Sequence, residues 1–437
     1  MSPGLSGTLL LLGLMALPAI GMPIAFALGL ASILALLLVN GLGSLDIVGE
    51  LFYGGMASFA LVSIPMFILM GAAVSASPAG RDLYEALDRW LNRVPGGLVL
   101  SNLGACSLFA ALSGSSPATC AAIGKMGIPE MQKRGYPDEI AAGSIAAGGT
   151  LGILIPPSVT MIVYGISTET SIGRLFLAGV LPGIMLTALF MLWTVIACRR
   201  RGLGLEQLGR RFSLGERLVA LPRVLPFLLI VAAILFVLYG GIATPSEAAG
   251  VGALFTLVLV VLIYRLFSLR RLGLVFRDTL KESVMIMLII GGSELFAYTL
   301  SSLYVTQSVA AWIAGLEVNR WLLMLIINLF LLVGGCFLPP VALILMTAPI
   351  LLPIITEAGF DPYWFAVILT INMEIGLITP PVGLNLYVIN GIAPDIKLRS
   401  ILLGSLPYVL CMVLAIVILC FVPEIATWLP DQVIGAR

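Results

Sequence analysis

Histidine is absent from the 437 residues, which removes the commonest general base and the commonest transition-metal ligand. Charge is scarce as well. Only 10% of the residues are Asp, Glu, Lys or Arg, against about 25% in ordinary soluble domains. The six cysteines contain no C-x-x-C pair and lie in or beside apolar runs, so they read as reduced small hydrophobes and not as a redox or zinc centre. With 23 basic and 22 acidic residues the net charge is +1, and no basic field invites nucleic acid. No Ser/Lys or Asp/Asp constellation marks an intramembrane enzyme. What remains is apolar. Hydrophobic residues make up 60% of the chain, and runs near the ~20 residues needed to cross a ~30 Å hydrocarbon layer succeed one another from Leu5 to Val422. The chain reads as an all-α, polytopic membrane protein solvated by membrane lipid.

Spans are expected at about 5–20, 23–40, 51–76, 138–167, 174–198, 224–240, 249–265, 283–303, 363–393 and 398–421. The run from Leu5 to Val39 has no polar leader or small-residue cleavage site before it and is expected to be retained. Two further stretches, 96–132 and 320–356, are interrupted by SGSSP (Ser113–Pro117) and GGCFLPP (Gly334–Pro340). A helix satisfying its own backbone in lipid does not run through such sequences, so each is expected to be a re-entrant hairpin. Charge agrees. The clusters Arg81/Arg89/Arg93, Lys133/Arg134, Arg199–Arg223, Arg265–Lys281 and Lys397/Arg399 hold 19 of the 23 basic residues, and the positive-inside rule places them in the cytoplasm. The intervening segments, with Asp46/Glu50, Glu169, Glu247, Glu317, Glu357/Asp361 and Glu424/Asp431, then lie outside. Only re-entrant hairpins keep that alternation consistent. The stretch Ser77–Asn92, with Leu83, Leu87, Trp90 and Leu91 at helical spacing, reads as an interfacial amphipathic helix.

An offset of 224 residues carries Pro129 to Pro353, Gly135 to Gly359, Tyr136 to Phe360, Gly152 to Gly376, Pro156 to Pro380 and Pro157 to Pro381. With the loop charges, this gives inverted repeats. The expected division is N-terminal spans at 1–50, a first repeat at 51–198, a basic loop and connecting spans at 199–274, a second repeat at 275–422, and a tail at 423–437.

The Pro-Pro pairs carry the chemistry. Each removes two backbone donors inside an apolar stretch and frees carbonyls about one turn earlier, so helices 138–167 and 363–393 must unwind there. Freed carbonyls at membrane depth need protein, water or an ion. Na+, a hard cation, accepts such oxygens, and the next half-helix offers its N–H groups to an anion. The expected Na+ ligands at the first tip and break are carbonyls near Ser113, Gly114, Ser115, Gly149, Gly152 and Pro156. At the second they lie at Gly334, Cys336, Thr379 and Gly383. The anion is expected near Ser116, Thr119, Ser158, Thr379 and Asn385, held by N–H groups and hydroxyls with no basic residue. Ser115 or Ser116 is also a plausible helix cap. Of the ionisable residues at membrane depth, Lys125 can snorkel, Glu247 in TPSE (Thr244–Glu247) completes a capping box, and Glu294 and Glu374 have no evident local role.

GIATPSEAAGVG (Gly241–Gly252), SGSSPAT, IPEMQKRGYP (Ile128–Pro137), GTLGILIPPS (Gly149–Ser158) and ITPPVGLN (Ile378–Asn385) resemble, in the same order, the large membrane subunit of tripartite ATP-independent periplasmic (TRAP) transporters. The resemblance implies an elevator-type carrier of the ion-transporter superfamily in a bacterial inner membrane. It implies Na+ as coupling ion with no organic cofactor. The cargo would be an organic acid, such as a C4-dicarboxylate or sialic acid, delivered by a periplasmic substrate-binding protein. A small four-helix membrane subunit would be a separate partner, since fused helices for it are lacking here. Leu338-Pro339-Pro340 departs from the acidic residue frequent at the second tip. A stand-alone anion carrier, coupled to protons or Na+, is the competing reading.

The charge pattern makes an orientation test possible. Arg210→Cys, in a background without other reactive thiols, is expected to stay shielded from an impermeant thiol reagent added outside intact cells. Labelling from outside would reverse the assigned topology.

Overall fold

The computed structural model describes residues 3–203, 212–265, 268–308 and 319–435. Arg210, Arg211 and Glu317, used in the charge argument, lie outside them. The described residues are helical, joined by short turns. By length and composition, Ile172–Arg200, Pro245–Tyr264, Leu269–Ser302, Pro340–Glu357 and Leu398–Phe421 are each able to cross a membrane.

The first two apolar runs form separate helices, Pro3–Ala19 and Ile24–Asn40, that pack on each other. Gly21 at φ +92° makes the turn between them, and Pro23 precedes the second helix. The expected span 51–76 is not one rod. It divides into Val48–Met56, a 3-10 turn at Phe59–Val62 and Ser63–Ser75, bent by 57°. Pro65 accounts for this, because proline belongs in a first helical turn and not in a helix interior. The span expected at 224–240 starts earlier, at Leu214, where Ser213 and Glu216 form a capping box. The box foreseen at TPSE is present: the Thr244 hydroxyl accepts from the Glu247 N–H, and the Glu247 carboxylate accepts from the Thr244 N–H.

Amphipathic helix Ala79–Leu91 buries Leu83 and Tyr84 and exposes Trp90 under the Arg217 guanidinium. It leads through the left-handed Gly96 into the first interrupted stretch. That stretch is two helices, Gly97–Ser113 and Ser116–Lys133, meeting at Gly114 and Ser115. The second is Arg320–Gly335 and Pro340–Glu357, meeting at 336–339. Between and after them come the broken helices, Asp138–Gly149 with Val159–Ser167, and Pro362–Leu377 with Leu384–Ile392.

The 224-residue offset recurs in the backbone. Gly135 and Gly359 sit at φ +75° and +79°, and the Tyr136 and Phe360 N–H groups reach back to the carbonyls of Met131 and its counterpart Ile355 at 3.0 and 2.9 Å. Pro156–Pro157 and Pro380–Pro381 are both cis. Packing exchanges partners. Ser116–Lys133 of the first hairpin packs on Leu384–Ile392 of the second broken helix, while Pro340–Glu357 of the second hairpin packs on Val159–Ser167 of the first.

Outer helices clamp this arrangement. Leu398–Phe421 packs along Asp138–Gly149, with Gly143 against the Gly404 backbone and Gly404 against the Glu139 carbonyl. Small residues allow such backbone approach in a membrane. The tail contains a helix, Glu424–Ile434, held to Ile172–Arg200 by Arg174, whose guanidinium reaches Asp431 at 3.5 Å and the Gly435 carbonyl at 2.6 Å.

Gly404→Val is expected to cost about 1–3 kcal/mol by overpacking, read as a lower thermal unfolding midpoint of the detergent-purified protein. An unchanged midpoint would contradict the crossing.

Candidate functional site

Both tips and both breaks face one cavity of about 1460 Å³. Ser113–Ala118 line it from the first hairpin and Gly335–Val341 from the second; Ile153, Val159 and Thr160 come from the first break, and Gly376, Leu377 and Val382–Leu384 from the second. It extends along Ser63–Ser75 and Leu269–Ser302 to Gly21–Pro23, Ala76, Arg271, Asp278, Lys281 and Glu282.

Glycine sets the approach of tip to break. A Cβ on Gly152 would lie 2.8 Å from the Ser115 carbonyl carbon and oxygen. At the repeat-equivalent place, a Cβ on Gly376 would overlap the Gly335 backbone. Gly114 needs its glycine twice over: its φ is +59°, and its Cβ position is 3.1 Å from the Pro157 carbonyl oxygen. The first tip and first break thus approach backbone to backbone at two places, Gly152 against Ser115 and Gly114 against Pro157.

The hydroxyls near the breaks are committed to backbone. Ser158 donates to the Ile153 carbonyl, 2.6 Å, one of those freed by the prolines, and its oxygen accepts from the Met161 N–H to cap Val159–Ser167. Thr379 donates to the Ile375 carbonyl at 2.8 Å and touches the Cys336 thiol at 3.2 Å. Thr119 donates to the Ser115 carbonyl at 2.8 Å and pairs with the Ser113 hydroxyl at 2.9 Å. Ser115 occupies the N-cap position in extended conformation without a side-chain cap bond. Pro117 lies in the first turn.

The structure therefore sorts the expected site residues into two groups. Ser113, Gly114, Ser115, Ser116, Cys336 and Gly383 line the cavity. Thr119, Ser158 and Asn385 are fully buried behind it, as are Gly149, packed on Cys120 and the Ser116 carbonyl, and Gly152. Pro156 belongs to the first Pro-Pro turn behind the wall. Gly334 packs against Leu343, joining the arms of the second hairpin. Asn385 donates to the Ala146 carbonyl at 3.3 Å, and its Oδ1 has no partner among the described residues.

Three of the four membrane-depth charges lie outside the buried interior. Lys125 is exposed, Glu247 caps its helix, and Glu294 is exposed over Gly55, away from the cavity. Glu374 differs. It is 1% exposed and accepts a 2.5 Å hydrogen bond from the Ser116 hydroxyl, 258 residues away in sequence. No local motif could have revealed that pairing, because the partners lie on different hairpin and helix units. The apolar rim at Phe337 and Leu338 was equally hidden, since nothing in those side chains alone distinguishes lipid-facing from cavity-facing.

The likeness to known proteins spans the same elements. Residues 11–425 match the family described as the tripartite ATP-independent periplasmic transporter, DctM component. The chain is 39% identical over 373 residues, 85% of its length and 86% of the relative's, to the C4-dicarboxylate TRAP transporter large permease protein DctM of Pseudomonas aeruginosa. It is 30% identical, over 95% of its length and 96% of the relative's, to the sialic acid TRAP transporter large permease protein SiaM of Vibrio cholerae. Among solved structures, the Alcanivorax borkumensis YdaH transporter superposes with a TM-score of 0.64 over 91% of this chain and 90% of that one at 17% identity, a likeness of fold. These relatives are permeases, not enzymes. The broken helices, the paired tips and the family match converge on one conclusion: this chain is a multi-pass membrane protein belonging to the DctM family, the large permease component of TRAP transporters.

Proposed function

We propose that this permease imports an organic acid anion by Na+ symport, in a bacterial inner membrane, with an elevator movement of the hairpins and broken helices against the remaining helices. The observation that carries the reading is the single cavity walled by both tips and both breaks. Two relatives are named for C4-dicarboxylates and sialic acid, which supports a carboxylate as cargo. We place this permease in an assembly with a periplasmic substrate-binding protein and a small membrane subunit of four helices, in keeping with a family described as tripartite and periplasmic.

Na+ would bind where the first tip meets the first break, using carbonyls of Ser113–Ser115 and of the unwound segment from Gly149 to Pro157. Hard oxygen ligands suit this ion, and the close approach at Gly152 brings two backbone segments together without a side chain between them. A second ion would sit at Gly334, Cys336, Thr379 and Gly383. There the Cys336 carbonyl already accepts from the Val382 N–H at 3.3 Å, as the Ser115 carbonyl of the first tip accepts from the Thr119 hydroxyl at 2.8 Å. The anion would meet the helix N-termini at Ser116–Ala118 and Gly383–Leu384, where N–H groups and the helix dipole favour negative charge. Thr119, Ser158, Thr379 and Asn385 stand behind those termini and hold them in place. Neutral donors also favour release, because no buried cation pairs with the cargo.

The cavity reaches Gly21–Pro23, Ala76 and Arg271–Glu282, ends that the positive-inside rule assigns to the cytoplasm. This conformation is read as the inward-facing one. The competing stand-alone carrier is separated by one requirement: uptake by TRAP-type transport depends on the added binding protein.

Proteoliposomes holding the permease with its small subunit are expected to accumulate a C4-dicarboxylate or sialic acid only with an inward Na+ gradient and the matching binding protein outside. Uptake that ignores Na+, or that proceeds unaided by a binding protein, would sink the reading. In the same assay Gly152→Val is expected to raise the half-saturating Na+ concentration at least about tenfold, equivalent to about 1.4 kcal/mol. Unchanged Na+ dependence in that variant would remove the ion from the first break. Thr379→Ala with Asn385→Ala is expected to raise the half-saturating substrate concentration while the affinity of the binding protein for its ligand stays constant; a normal substrate curve would dismiss the second break as part of the anion site.

A further inference from the structure

Glu374 and Gly376 are two residues apart at the end of helix Pro362–Leu377. At 100° per residue they point about 200° apart, to opposite sides of the helix. Gly376 faces the second tip, with its Cβ position inside the Gly335 backbone. Glu374 faces the first, accepting from Ser116 Oγ at 2.5 Å. The helix end is therefore wedged between the two tips.

The polar side of this wedge is a single bond. Glu374 Oε2 has no hydrogen-bond partner, and no Lys or Arg forms an ion pair with the carboxyl, among the described residues. Burying a carboxyl with so little compensation is costly. An apolar residue of similar size would pack there without that cost, so packing does not explain it. Ser116, its partner, is fully buried at the side chain and lies at the start of the inner arm of the first hairpin, where the chain lines the cavity. Other hydrogen bonds also join the two halves, Tyr164 to the Pro362 carbonyl and Asn385 to the Ala146 carbonyl, but these lie away from the tip itself.

We propose that Glu374 is a positioning residue: by accepting the Ser116 hydroxyl it sets the first tip against the end of the second broken helix, whose opposite face holds the second tip, so the two tips keep one relative geometry as cargo and ion bind. This rests on the reading that the tips form the ion and anion sites. The carboxyl acts as an acceptor, and its charge is not required.

The test compares Glu374→Gln, Glu374→Leu, Ser116→Ala and the Ser116→Ala/Glu374→Leu double variant, in the proteoliposome assay and by thermal unfolding of the purified protein without Na+ or substrate. Gln retains an acceptor and is expected to keep half-saturating Na+ and substrate concentrations within about twofold of the native protein, whereas Leu and Ser116→Ala each raise both by about fivefold, within the range of coupled neighbours. The double variant is expected to do no more than either single one. Equal damage from Gln and Leu would overturn the proposal by making the charge itself essential, and about 25-fold effects in the double variant would show that the two residues act independently. Thermal unfolding separates this from failure of the transport reading. If the native protein shows no Na+-dependent uptake, a non-additive shift in midpoint still supports the Ser116–Glu374 link, and additive shifts remove it.

Discussion

The structure depends on one constraint: in hydrocarbon, every backbone donor and acceptor must find a partner inside the protein. Two Pro-Pro pairs break that rule on purpose, since proline brings no N–H and strands carbonyls one turn earlier. Ser158 answers by turning its hydroxyl onto the freed Ile153 carbonyl, and Thr379 turns its hydroxyl back onto the Ile375 carbonyl of its own helix. These side chains are polar for the sake of the backbone. That use explains why they stand behind the cavity wall, where a reading based on residue type alone had placed them against cargo.

The same constraint makes glycine the contact residue between tip and break. Gly152 meets Ser115, and Gly376 meets Gly335; any side chain at either place would hold the backbones apart and leave their polar groups facing apolar atoms. The two halves share this backbone plan while differing in chemistry. The first tip has the linked hydroxyls of Ser113 and Thr119, whereas the second presents Phe337, Leu338 and two prolines. Asn328 and Asn372 hydrogen-bond between the second hairpin and its broken helix. The repeat-equivalent positions in the first half are Gly104 and Gly148, which carry no polar side chain; there Gly148 packs against Cys106 and Leu103 of the first hairpin.

Several further features were beyond local reading. Pro65 divides an apolar run that composition alone makes a single span, and the tail helix returns to Arg174, 13% exposed, which reaches the Asp431 carboxylate and the Gly435 carbonyl. Arg320 lies over the Trp321 and Phe360 rings, with Trp364 stacked on Phe360 at 5.2 Å. Those contacts join the two ends of the second hairpin to the start of its broken helix, and they involve residues up to 44 positions apart.

Interactions that act within one or two turns were determined by the sequence itself. Composition specifies a membrane solvent, proline and glycine specify where helices must stop, and TPSE specifies its own cap, because each of these effects needs only neighbours along the chain; a constant offset of matching turn residues reveals the repeat by comparison of the chain with itself. The tertiary structure alone decided which surfaces those interruptions face. It set the exchange of partners between hairpins and broken helices, the turning of hydroxyls away from the cavity, and the meeting of Ser116 with Glu374, since a side chain's role at membrane depth is settled by the partner that packing brings to it, and that partner can come from anywhere in the chain.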